Sequence, residues 1–388
     1  MLLAVVFAAA TALIGFPSPA YADGIRGQQW QLDLLRARDA WRYADGGNIT
    51  VAVLDSGVDA THPDLAGQVL AGADFVEPGG TGRTDKVGHG TAVAALIAGR
   101  DDDDGVIGIA HHAKILPVRV LDRKNRYRDA TVVARGLRWA VDHGADVVNM
   151  SLGGAIPSQE LADAIQYAYD HDVVVVACGG NVTSDKTEAI WYPAREPGVI
   201  AVTGLGTDGK FWKLSLAGPE SVLAAPAEKL VGAKPGGYAK LQGTSFSAPM
   251  VTATAALVRS HWPDMTAANV INRLILTARD LGPPGRDDQY GYGVLDPVRA
   301  LTNPVTSVKA NPLDTTPRSP APSDAWSASP AKQAAGKPTS YRGWWAALIG
   351  LLVVAVATVV AVLMLRRRPE PEPLPVTADE ARVAAEAA

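Results

Sequence analysis

Five short runs of apolar, largely β-branched residues recur along the middle of the chain. They are NITVAVLDSG (48–57), KILPVRVL (114–121), ADVVNMSLGG (145–154), DVVVVACGGN (172–181) and GVIAVTGLG (198–206). The apolar residues are continuous rather than alternating, so each run suits a strand covered on both faces, as in a parallel sheet. Between them lie helical stretches at 91–99, 129–144 and 158–171. In the second, Val132, Val133, Gly136, Leu137 and Ala140 share one face, and Gly144 ends the pattern. Strand and helix in alternation predict an α/β fold with a mostly parallel sheet flanked by helices. Such sheets carry their sites at the carboxyl ends of the strands.

Composition narrows the function classes. Of 388 residues, 47% are hydrophobic and 20% charged, enough apolar surface for a packed core. The net charge of −4 leaves no basic surplus to neutralise a phosphate backbone, which argues against nucleic acid as a partner. Cys178 is the only cysteine, so neither an intrachain disulfide nor a Cys-based zinc site can form, and in its strand it reads as a small buried hydrophobe. The four adjacent aspartates at 101–104 cannot all converge on one calcium ion and read as a solvated loop. No metal or cofactor is expected.

Both ends of the chain are apolar. Residues 1–22 carry no charge and close on Ala20-Tyr21-Ala22, a small-x-small cleavage pattern, so they are expected to be a secretory signal peptide. Residues 344–365 form a second uncharged run, which as a helix would extend about 33 Å, close to the hydrocarbon thickness of a bilayer. Two tryptophans open this run and Arg366-Arg367-Arg368 closes it, so a single transmembrane helix is expected. The signal sets the orientation: the body lies outside the membrane and the short tail, 366–388, is cytoplasmic. Residues 303–343 are rich in Pro, Ser and Ala without hydrophobic periodicity and read as a linker, leaving 23–302 as the folded body.

Three segments each place a reactive side chain beside glycine at a strand end or helix start. Asp55 closes the Val51–Leu54 run, His89 stands between Gly88 and Gly90 ahead of an apolar helix, and Ser245 follows Gly243-Thr244 and opens a helix with Pro249 in its first turn. Taken singly, Asp55 also fits a turn and Ser245 an N-cap. Together they supply an orienting carboxylate, a general base and a nucleophile. The order Asp, His, Ser is that of subtilisin. An α/β-hydrolase would need Gly-x-Ser-x-Gly and a later acid and histidine, which the chain after Ser245 does not offer. Asn181, delivered through Gly179-Gly180, is either a turn residue or an amide donor to an oxyanion, together with the Ser245 N–H.

The motifs Asp55-Ser-Gly-Val, His89-Gly-Thr, Ser151-Leu-Gly and Gly-Thr-Ser245-Phe-Ser-Ala-Pro resemble, in order, those of the subtilisin-like serine peptidases, across about 250 residues. The resemblance implies a subtilisin-like fold, with Asp55, His89 and Ser245 as catalytic triad and Asn181 as oxyanion donor. It further implies Ser151, Leu152 and Gly153 as an extended edge that pairs with substrate backbone, with Gly179 and Gly180 completing the substrate-binding set. Trp191 falls where relatives floor the primary specificity pocket, and an inward indole there would admit only small side chains such as alanine. The segment QQWQLDLLRARDAWRYADGGNITVAVLDSGV, the Pro-rich linker and the terminal apolar run with its arginines look like the mycosins, membrane-anchored subtilases of type VII secretion systems. That implies a protein or peptide substrate and a membrane secretion complex as partner. Mycosins commonly carry disulfides; this chain departs from them there. The segment ahead of the first catalytic strand is too short for a folded inhibitory prodomain. The rival expectation is a scaffold that stabilises a secretion complex with proteolysis secondary or absent.

Overall fold

The computed structural model describes residues 22–102, 105–182 and 189–315. Seven parallel strands form one sheet in the order β2-β3-β1-β4-β5-β6-β7. They are β1 (Thr50–Asp55), β2 (Ala73–Asp74), β3 (Lys114–Arg119), β4 (Val147–Met150), β5 (Val174–Cys178), β6 (Ile200–Leu205) and β7 (Leu223–Pro226). All five strands expected from the apolar runs are present, each lying within its run and shorter than it. The central ones are buried along their whole length, as continuous rather than alternating patterns require. A two-stranded antiparallel hairpin, β8 (Leu230–Lys234) with β9 (Gly237–Leu241), lies apart from the sheet.

The helices follow their sequence signals closely. Three short ones, α1 (Ala22–Arg26), α2 (Trp30–Leu34) and α3 (Ala37–Ala40), precede the sheet, and α4 (His89–Ala98) follows β2. Next come α5 (Ala130–Asp142) and α6 (Gln159–Asp170), started by Asp129 and Ser158, whose side chains accept from Val132 N–H and Leu161 N–H. The last are α7 (Ala248–His261), α8 (Ala267–Thr277) and α9 (Pro297–Thr302). α5 and α6 pack together over β1, β3 and β5, whereas α4 and α7 pack together against the sheet. Nearly every residue of α4 and α7 is buried, which explains why neither shows a polar face in the sequence.

Two segments clasp this body. In the first, the Gln29 side chain pairs with both the C=O and the N–H of Ile107 (2.9 and 3.0 Å). The Trp30 and Trp41 indoles donate to the Glu228 and Ile109 carbonyls, and Arg36 grips Asp296 at 2.7 Å. In the second, the folded part runs past the boundary at 302. Asn269 binds Val308 through both its amide groups, Asn272 donates to the Thr306 carbonyl, and Asn311 and Leu313 bracket Gly198. Residues 303–315 lack hydrophobic periodicity because side-chain amides and one leucine hold them, rather than an amphipathic element. Among the described residues no helix is long and apolar enough to cross a membrane. The apolar runs at 1–22 and 344–365 lie outside the described residues, apart from the last residue of the first.

Candidate active site

Neighbouring strands β1, β4 and β5 run parallel, so their carboxyl ends open on one rim. Asp55 ends β1, Ser151-Leu152-Gly153 follow β4, and Gly179-Gly180-Asn181 follow β5. Asp55 is fully buried, and its Oδ1 accepts the Ser56 N–H at 2.7 Å. His89, the first residue of α4, presents Nδ1 to both carboxylate oxygens, at 2.8 and 3.0 Å. An ionised carboxylate only accepts, so Nδ1 carries the proton and Nε2 is left as the basic nitrogen. Burial disfavours the imidazolium, but the charge and hydrogen bond of Asp55, joined by the charge of Asp85, outweigh it and hold His89 above its ordinary value.

Glycine makes this approach possible. A Cβ on Gly90 would stand 2.1 Å from the Gly57 carbonyl oxygen and 3.0 Å from the Asp55 Cβ, so only a bare backbone lets α4 begin against β1.

Asp85 escaped the sequence reading. Its buried carboxylate accepts from Gly88 N–H (2.8 Å) and Val87 N–H (2.9 Å). It also takes the Ser56 hydroxyl (3.0 Å) and both Thr91 N–H and hydroxyl (3.0 and 2.7 Å). Ser56 Oγ in turn accepts the Gly90 N–H at 3.1 Å. One carboxylate thus fixes the loop entering α4, the first turn of the helix and the residue after Asp55. An aspartate in a polar loop has no periodicity to mark it, and only its nearness to His89 in sequence was visible.

Ser245 lies in a single 3₁₀ turn, Thr244–Phe246, immediately before α7, rather than capping the helix itself. Ser151 Oγ donates to the Ser245 carbonyl at 2.6 Å and accepts from Asn149 Nδ2, and the Phe246 ring lies 5.3 Å from that of His89. Among the described residues no hydrogen bond joins Ser245 Oγ to His89; the hydroxyl is turned toward Cys178 Sγ, 3.9 Å away. Cys178 is fully buried at the end of β5, and burial pushes its thiol up to about 11.

Asn181 is oriented without ambiguity. Its Oδ1 accepts the Thr244 N–H (2.9 Å) and the Thr244 hydroxyl (3.2 Å), so the amide cannot be flipped and Nδ2 remains a donor. Asn181, Ser245, Trp191 and the Ser151-Leu152-Gly153 edge line one cleft of about 400 Å³. The Trp191 indole is seated against Gly180 and Gly153, where added Cβ atoms would come within 2.6 Å of its Cδ2 and 3.0 Å of its Cβ. Gly180 also holds a φ of 105°, a conformation that favours glycine. The other histidines serve the fold. His143 and His171 turn Nδ1 onto the carbonyls of Trp139 and Tyr167 at their helix ends, and His62 bridges Asp64 N–H and Gly237 C=O. Asp101 and Asp102 pair with Arg26 at 3.2 and 3.8 Å; positions 103–104 are outside the described residues.

The family model for the subtilase family, Peptidase S8, matches residues 46–293. Fervidolysin of Fervidobacterium pennivorans is 36% identical over 317 residues, 74% of this chain but only 45% of that protein's length. Subtilisin DY of Bacillus licheniformis is 38% identical over 250 residues, 64% of this chain and 88% of that protein. Among solved structures, the serine protease MycP1, described as an essential component of the type VII (ESX-1) secretion system, superposes with a TM-score of 0.64 at 33% identity. It covers 72% of this chain and 89% of its own. The fold shared with these proteins is the subtilisin-like α/β fold.

Proposed function

The chain belongs to the subtilase family of serine endopeptidases, and on that premise we propose that it is a membrane-anchored, extracytoplasmic, mycosin-like component of a type VII secretion system that cleaves protein substrates with Asp55, His89 and Ser245. The observation that carries the chemistry is the buried Asp55 carboxylate bound to His89 Nδ1, with Ser245 and the pinned Asn181 amide in one adjoining cleft. His89 Nε2 takes the proton of Ser245 as its oxygen attacks the peptide carbonyl. For this the hydroxyl turns from Cys178 toward the imidazole when substrate binds. Asp55 holds the tautomer and stabilises the imidazolium, while Asn181 Nδ2 and the Ser245 N–H receive the oxyanion. His89 then returns the proton to the leaving amine, and water hydrolyses the acyl-enzyme by the same route.

The setting rests on likeness to MycP1 and on the sequence of the two ends, an uncharged leader and an apolar run closed by arginines. The test is labelling with a serine-directed fluorophosphonate followed by peptide mapping. An adduct on Ser245 that disappears in His89→Ala is expected. An unlabelled Ser245, or labelling indifferent to His89, rejects the triad.

A further inference from the structure

We propose that the loop joining β3 to α5 makes the cleft selective for acidic polypeptide, attracting carboxylate side chains that flank the bond to be cut. This rests on the cleft being the substrate site of the peptidase.

The loop reads Asp122-Arg123-Lys124-Asn125-Arg126-Tyr127-Arg128-Asp129, four cations and two acids. Its acids are occupied with the backbone. The Asp122 carboxylate accepts from Lys124 N–H (2.8 Å) and Arg126 N–H (3.1 Å), and Asp129 caps α5. Backbone bonds from Asp122 N–H to Arg126 C=O (2.8 Å) and from Asn125 N–H to Asp122 C=O (3.0 Å) close the turn, so the loop has a built shape. Arg123 faces Glu77 at 3.6 Å. Lys124, Arg126 and Arg128 are exposed and, among the described residues, have no ion-pair partner.

Arg126 lines the same cleft as Ser245, and among the described residues lining it no other carries a full charge. A cationic rim on a chain of net charge −4 runs against the overall balance. At physiological salt, screening confines its pull to about 8 Å. The selectivity therefore acts on residues close to the scissile bond and not on the net charge of a distant domain. A polypeptide is favoured over an anionic lipid surface because the loop borders a groove with a backbone-pairing edge, and a flat headgroup layer cannot enter it.

The experiment uses the full chain in detergent and fluorescent peptides of one sequence that differ only by Glu, Gln or Lys at the positions flanking a central alanine. Binding is measured on Ser245→Ala, cleavage on the unaltered chain. The Glu peptides are expected to bind about fivefold more tightly than the Gln peptides at low salt, with the ratio falling toward one at about 0.5 M NaCl, where the screening length is about 4 Å. In the double variant Lys124→Glu, Arg126→Glu the Glu:Gln ratio should drop below one. Each ratio is taken within one protein, so a folding defect lowers both terms and leaves the ratio readable. A Glu:Gln ratio of one, undetectable binding of every peptide, or a ratio that survives charge reversal overturns the proposal. So does loss of binding to anionic-lipid vesicles in the double variant with the peptide ratio unchanged. Selective binding without cleavage of any peptide would instead sink the proposed enzymatic function and leave the selectivity standing.

Discussion

As the proposed general base His89 has to be neutral, and two acidic neighbours, Asp55 and Asp85, oppose that. Because Asp55 and Asp85 outweigh burial, the folded imidazole titrates above the ordinary value of about 6.5. The rate should therefore be low in acid and rise with pH through an inflection above that value. In Asp55→Asn the inflection should move down and kcat fall by about 10⁴-fold; a pH profile of kcat/KM on both proteins checks this. Cys178, buried with its thiol pushed up to about 11, should resist iodoacetamide at pH 8 in the folded protein and react fully in denaturant, read by mass spectrometry. Trp191 fills the cleft wall beside Gly153 and Gly180. Trp191→Ala should raise the Phe:Ala preference at the scissile position, and equal cleavage of Phe and Ala peptides by the unaltered chain would reject a size-limiting indole. At this scale the sequence was informative where glycine flags a reactive neighbour, as at Asp55, His89 and Ser245. It was silent on Asp85 and Thr244, ordinary polar residues whose importance lies in partners distant along the chain or hidden in loop geometry.

Strand ends carry the site, and the elements behind them were unequally legible. Continuous apolar runs announced β1, β3, β4, β5 and β6, because burial on both faces leaves no room for polar alternation. The two-residue β2 and the Leu-Ala-Ala-Pro of β7 are too short or too alanine-rich to show a period, and neighbours impose their pairing. β2 is held at the sheet edge by Asp74, which Arg119 grips at 2.8 Å. The same reasoning makes the start of α4 the most vulnerable joint. Gly90→Ala drives a Cβ into the Gly57 carbonyl and should destabilise the fold by about 1–3 kcal/mol. Asp85→Ala strands donors of Gly88, Thr91 and Ser56 and should cost about 3 kcal/mol or more. Urea unfolding measures both. For Asp85→Ala, kcat of the fraction still folded should also fall, because the loop that aims His89 has lost its anchor.

At the scale of the whole molecule, the body includes the strap at 303–315. A chain ending at 302 should be less stable than one ending at 315 by about 2–4 kcal/mol, given several side-chain-to-backbone bonds at about 1 kcal/mol each; thermal unfolding of the two truncations compares them. The α/β class and the sheet's direction were readable because they follow from pattern, whereas the two clasps were not. Gln29, Asn269 and Asn272 act through single amides, which no periodicity reveals. The scaffold expectation separates from the enzymatic one in a cell that depends on the chain. If Ser245→Ala leaves secretion intact while removal of residues 23–302 abolishes it, assembly and not cleavage is the essential contribution.

The hydrogen bonds that compose the site join residues 34, 63 and 94 positions apart: Asp55 with His89, Asn181 with Thr244, Ser151 with Ser245. A fragment that holds every one of these partners must run at least from Asp55 to Ser245. A cut between any of these partners, once the halves separate, leaves pieces with no assembled site.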